Sequence, residues 1–170
     1  MITLEPFQKS DFDAFISWID NKELLVTIAG NVFSFPVTHD QLQKYLDDEK
    51  SISFTILDEN SKNPVGHAEI VLANDGTCKI DKLLIGDKSQ RGKGIGEQVM
   101  NELVRYAFEK LPVHTVELNV FDWNKAGIRC YEKVGFIMNP GKAMNFEVNG
   151  EKWLALNMTL TRHSWNKMRI

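Results

Sequence analysis

Cysteine is scarce: Cys78 and Cys130 are the only two in 170 residues. They match no metal spacing and make no disulfide framework, so the chain reads as a reduced, cytoplasmic protein. Long hydrophobic runs are missing too, and nothing approaches the ~18 apolar residues of a membrane span. Met1-Ile2-Thr3-Leu4-Glu5-Pro6 has neither the basic nor the apolar stretch of a signal peptide. There is no basic excess. Lys and Arg number 20 against 23 Asp and Glu, a net charge of −3. That argues against a nucleic-acid partner but leaves room for a basic groove around one anionic ligand. His39, His67, His114 and His163 have no ligand spacing, so no metal is expected. Repeats, low-complexity tracts and linkers are lacking as well, and the length suits a single domain over residues 1–170.

What is present is a mixed α/β pattern. Ile2 to Glu5 alternates like a short strand. Ser10 is the expected cap of a first helix, with Phe12, Phe15, Ile16 and Ile19 on its buried face. Ala29 to Thr38, rich in aromatics, is expected to be a mobile loop. Thr38-His39-Asp40-Gln41 has capping-box form, with Leu42, Tyr45 and Leu46 on one face of the helix it opens. Ser51 to Leu57, Val65 to Leu72 and Cys78 to Ile85 read as an antiparallel meander joined by turn material. From Ile95, apolar residues recur at helical spacing to about Lys110, where Pro112 stops the pattern. Thr115 to Val120 reads as a buried strand. A helix over Asn124 to Val134 ends at Gly135. Phe136 to Met138 and Lys152 to Thr161 are the last expected strands. The expected fold class is α+β (mixed α/β).

Two segments carry chemistry. Gln90-Arg91-Gly92-Lys93-Gly94-Ile95-Gly96 links a strand to the long helix. Alternating glycines bare the backbone where a helix leaves its first N–H groups unpaired, which describes an anion cradle. Arg91 and Lys93 add charge for a phosphate. The order of glycine and lysine fits neither a Walker loop nor a dinucleotide fingerprint. In the second segment, Asn124 to Phe136, Asn124 sits at a strand end and Tyr131 lies two turns along the same helix face. Cys130 points away from Tyr131 and reads as a packing residue.

Together the segments resemble the GNAT acetyltransferase superfamily. Arg91, Gly94 and Gly96 match its Arg/Gln-x-x-Gly-x-Gly/Ala signature. Asn124, Tyr131, Gly135 and Phe136 match the motif that follows it, with Ala126 or Gly127 at the small position. The resemblance implies a mostly antiparallel central sheet with a splayed pair of fourth and fifth strands, flanked by helices. It implies acetyl-CoA as cosubstrate, with its diphosphate on Arg91, Gly92, Lys93, Gly94, Ile95 and Gly96. Its pantetheine arm would meet the backbone of Leu84, Ile85 and Gly86 and the amide of Asn124, with the sulfur near Tyr131.

The implied reaction is acetyl transfer to a primary amine by direct attack in a ternary complex. A backbone N–H near Leu84 would stabilise the oxyanion, and Tyr131 would protonate the departing thiolate. The position where many relatives carry a glutamate base is Ile80 here. Asp81, in a run similar to aminoglycoside 6′-N-acetyltransferases, is one candidate base. Glu69, expected as an exposed carboxylate on the face it shares with His67, is another, and a water chain relaying to solvent would need neither. The segment Asn149 to Trp153 is similar to the ribosomal-protein and spermidine N-acetyltransferase branch. Candidate acceptors are a protein N-terminus, a polyamine or an aminoglycoside-like amine, on a monomer or homodimer. The rival reading is a non-catalytic acyl-CoA sensor on the same fold.

Overall fold

The computed structural model describes residues 1–170. The strands are β1 (Ile2–Pro6), β2 (Ser51–Asp58), β3 (Pro64–Leu72), β4 (Thr77–Ile85), β5 (Thr115–Phe121), β6 (Ile137–Val148) and β7 (Glu151–Thr161). The helices are α1 (Phe12–Trp18), α2 (Lys22–Ala29), α3 (His39–Leu46), α4 (Ile95–Lys110), α5 (Lys125–Val134) and α6 (Arg162–Met168). One seven-stranded sheet runs in the order β1-β2-β3-β4-β5-β7-β6. All neighbours are antiparallel except β4 and β5. No helix is long and apolar enough to cross a membrane.

Two buried clusters sandwich the sheet. Val99, Met100, Leu103, Val104 and Ala107 of α4 pack with Ile70, Ile80, Val116 and Leu118 on one face. Phe12, Phe15, Leu25 and Leu42 of the N-terminal helices pack with Phe7 and Leu84 on the other. His67 of β3 is 1% exposed on this second side. Its Nδ1 lies 3.0 Å from the carbonyl of Lys82, and its Nε2 lies 3.3 Å from the Tyr45 hydroxyl. Phe7 and Phe15 stand edge-on to the imidazole at 4.8 and 5.0 Å.

The β4–β5 pairing runs from Thr77–Thr115 to Ile80–Leu118 and stops. Beyond that point β4 carries a bulge, where Lys82 adopts a left-handed φ of +48°. A bulge adds a residue to one strand, bends it and increases its twist. β5 meanwhile stays on β7 through Phe121. The buried Asn157 fastens it there, donating to the Leu118 carbonyl and the Asn119 side chain while accepting from Asn139 of β6. The two parallel strands therefore part, leaving a V-shaped gap.

Several elements differ from the sequence expectation. α2 is an extra helix, capped by Asn21, whose side chain accepts from the Leu24 N–H at 2.7 Å. α6 is a second, opened by Thr161. Ser10 lies inside a 3₁₀ turn rather than capping α1, because Gln8 and Asp11 close that turn. The Asp11 carboxylate accepts from the Gln8 N–H and the Thr55 hydroxyl, both at 2.8 Å. β6 runs on to Val148 through an irregularity at Asn139–Met144. Residues 30–38, expected as a mobile loop, bury Phe33 and Val37. Gln41 ties that connection to α3 through Ser34 and Pro36. Thr38 accepts the Gln41 N–H, so the capping box forms by half.

Burial pushes the His67 imidazolium down to about 4, against the weaker opposing effect of the Lys82 carbonyl. Between its unfolded value near 6.5 and about 4, the unfolded chain binds a proton that the folded chain refuses. Stability should therefore fall as pH drops through that window, by roughly 3 kcal/mol in all. Urea midpoints between pH 7 and pH 5 test this. The wild type should lose stability more steeply than His67→Gln, and equal slopes would overturn the assignment.

Candidate functional site

The turn from β4 into α4 is set by close packing and by backbone conformation. A Cβ on Gly86 would sit 2.0 Å from the Trp18 indole, so the ring lies directly on the backbone where β4 ends. Gly92 and Gly94 take φ values of +75° and +77°, and a Cβ on either would meet no atom within 4 Å. These glycines serve backbone conformation and leave open space in front of the loop. From Gly92 to Glu97 the amide N–H groups donate to no backbone acceptor, and Gly94 brings no side-chain cap to α4. All of these residues but Lys93 line a cleft of about 450 Å³ at the positive end of a sixteen-residue helix.

Gly92, Gly94, Ile95 and Gly96 line this cleft with Arg91, whereas Lys93 does not. The Arg91 Nε donates to the Ile85 carbonyl at 3.0 Å. Two cations that sequence reasoning missed, Arg129 and Lys133, line the opposite wall from α5. Their four-residue spacing on one helix face was the available signal. Cys130 stands between them, its Sγ 3.8 Å from where a Gly96 Cβ would lie. Burial raises its thiol pKa, as expected for a packing residue.

The expectation for Leu84, Ile85 and Gly86 divides. The Gly86 N–H donates to the Val65 carbonyl of β3 at 2.9 Å. That makes the Gly66–Ile85 pair the non-hydrogen-bonded type, so ladder alternation turns the backbone groups of Leu84 toward β3. Those of Ile85 face the gap instead. The backbone donor sought near Leu84 is thus the N–H of Ile85.

Beyond the loop, the gap widens into a cavity of about 280 Å³. Lys79 to Leu83 of β4, Leu118 to Phe121 of β5 and Tyr131 of α5 form its floor and sides. α2 with residues 30–32, and Met144, Phe146 and Ala155 from β6 and β7, form the rest. Asp81 and Tyr131 therefore share one cavity. Burial, with a smaller push from Cys130, raises the Tyr131 phenol to about 12, so it is a protonated donor at neutral pH. Asn124 caps α5, its Oδ1 accepting from the Gly127 N–H at 3.0 Å. Gly127 fills the small position, since a Cβ there would sit 2.7 Å from the Asn124 amide nitrogen. Gly135 closes the helix at φ +109°.

Glu69 lies elsewhere than expected. It is 1% exposed, not solvated, and is held by the ammonium of Lys82, itself 5% exposed. Both residues are buried beside the bulge, and Lys82 also lies over the Tyr45 ring at 5.2 Å. Asp81, 28% exposed at the side chain, accepts from the Lys82 N–H at 2.9 Å and pairs with Lys79 at 3.0 Å.

Comparison with known proteins gives this geometry a family. Residues 7–136 match the acetyltransferase (GNAT) family. An N-acetyltransferase 9-like protein of Nematostella vectensis is 25% identical over 146 residues, spanning 79% of this chain and 74% of the relative. Aminoglycoside N(6′)-acetyltransferase type 1 of Klebsiella pneumoniae is 28% identical over 150 residues, spanning 79% and 73%. The fold matches that of spermidine N-acetyltransferase from Vibrio cholerae in complex with CoA and spermine. Its TM-score is 0.81 at 23% identity, covering 97% and 98% of the two chains. The chain belongs to the GNAT acetyltransferase family and is an acyltransferase.

The open space before Gly94 supplies a test of the loop. Gly94→Ala should cost only about 1–2 kcal/mol of stability, because the new Cβ meets nothing and only the left-handed backbone is strained. Coenzyme A affinity should fall on the order of tenfold, as the methyl group occupies the space in front of the amides. Calorimetric titration and thermal melting read the two effects separately. Unchanged affinity would remove the loop from binding.

Proposed function

We propose that the protein transfers the acetyl group of acetyl-CoA to a primary amine by direct attack in a ternary complex. One observation carries the reading: the unpaired amides from Gly92 to Glu97 lie on the turn that follows β4, the strand that carries Asp81 into a cavity with Tyr131. The thioester supplies the activated acetyl group, and the remaining chemistry falls to the chain.

The loop amides and the start of α4 suit a diphosphate, which Arg91, Arg129 and Lys133 complement in charge. The Asn124 side-chain nitrogen, left over from capping, is available to a pantetheine carbonyl. The Ile85 N–H is the donor for negative charge building on the thioester oxygen. Asp81 is the better-placed base, since it lines the cavity, whereas Lys82 occupies Glu69. The Tyr131 hydroxyl gives its proton to the departing sulfur.

Thiol release from acetyl-CoA in the presence of an amine panel tests the proposal. Coenzyme A binding without amine-dependent release would favour the non-catalytic sensor. Tyr131→Phe should lower kcat by about 10²-fold or more, while acetyl-CoA affinity stays within about twofold because the phenol binds no phosphate. Because Tyr131 keeps its proton up to about 12, kcat should show no alkaline loss from this acid between pH 7 and pH 10. An unchanged rate in Tyr131→Phe would remove it from the mechanism.

A further inference from the structure

The amine side of the cavity carries almost no negative charge that is not already matched. Its one carboxylate, Asp81, lies 3.0 Å from the Lys79 ammonium and 3.9 Å from that of Lys82. Glu69 beneath it is given over to Lys82. Along the α2 side, Glu23 accepts from Asn149 and Asp20 pairs with Lys88. Residues 30–38, which include part of the cavity wall, contain no acidic residue. By contrast, 14 of the 21 lining residues are hydrophobic. Phe121 and Phe146 meet edge-on at 5.6 Å in the lining, with Trp153 5.1 Å from Phe121. Trp123 stacks on Phe121 at 5.8 Å and is 49% exposed.

We infer that the acceptor is a primary amine with a single positive charge on an apolar body of aromatic size, rather than a polycation. This rests on the acetyltransferase reading and specifies its substrate. Every ammonium that leaves water needs a carboxylate in exchange, or its desolvation goes uncompensated. A polyamine or aminoglycoside brings several, and finds one carboxylate already shared by two lysines. A monoamine brings one, and that charge disappears before reaction. The ammonium gives a proton to Asp81, and the free nitrogen pair forms the C–N bond. The C–S bond breaks with its electrons on sulfur, the thiolate takes the Tyr131 proton, and the surplus proton on the newly acylated nitrogen returns to the Tyr131 phenolate. The apolar body meanwhile gains contact with flat aromatic faces.

The test compares kcat/KM for 2-phenylethylamine, spermidine and kanamycin by thiol release from acetyl-CoA. Phenylethylamine should be favoured by about tenfold or more. Val32→Glu adds a carboxylate to the wall at a position that is 62% exposed, so folding is not at risk. It should narrow the ratio toward spermidine several-fold. Polycations used as well as phenylethylamine by the wild type, or a ratio indifferent to Val32→Glu, would overturn the inference while leaving the acetyltransferase reading intact. Acetyl-CoA binding with no amine accelerating thiol release would overturn both.

Discussion

The buried ion pair of Lys82 and Glu69 sits where β4 parts from β5, and the shape of the site follows from it. Lys82 is fixed from every side. Its backbone is left-handed, its N–H is held by Asp81, its carbonyl by His67 and its ammonium by Glu69. Desolvating two charges makes such a pair a poor source of net stability, since an apolar substitute of like volume often does as well. Losing one partner is another matter, at about 3–5 kcal/mol for the charge left behind. The pair is therefore better understood as fixing one geometry. An ammonium committed to Glu69 holds the Lys82 side chain inward and with it the bulge.

The bulge also explains how one strand serves two cores. Buried and partly exposed side chains alternate along β4 from Thr77 to Ile85. Cys78 and Ile80 nevertheless belong to the α4 core, and Leu84 to the core of the N-terminal helices. A one-residue change of register transfers the following side chains to the opposite face. The same step frees β4 from β5 and turns the Ile85 backbone into the gap. Splayed strands, twin cores and an open backbone edge are thus consequences of one residue's conformation.

Much of the loop and helix proposed to hold the diphosphate was legible in the sequence because its parts are local. Gly92 and Gly94 precede, and Gly96 opens, a strongly periodic helix, while Asn124 and Gly135 cap the short helix that carries Tyr131. The misses have physical causes. α6 contains no buried residue, so it shows no apolar stripe. It is held instead by Arg162, whose guanidinium reaches the carbonyls of Phe108 and Val113. In α2 the buried positions Leu25, Val26, Ile28 and Ala29 are nearly continuous, which blurs helical spacing. β6 is an edge strand, largely exposed, and its Asn139-Pro140-Gly141 reads as a turn. The Lys82–Glu69 pair depended on a bulge, which no pattern along β4 announces.

The acceptor end was illegible for a further reason. The cleft proposed for the diphosphate is built from the chain between Ile85 and Glu97 and one face of α5, so a short motif specifies it. The acceptor wall joins α2 to β6 and β7 across more than a hundred residues of chain. Gly30 lies against the Phe146 ring, where a Cβ would come within 3.2 Å, and Glu23 reaches Asn149. Its character depends on which distant side chains meet, and on whether the carboxylates they bring remain free. Asp81 is one of two candidate bases in a linear reading. Only the fold shows that Lys79 and Lys82 have already balanced its charge, which is the ground for inferring an amine selected by apolar contact more than by attraction.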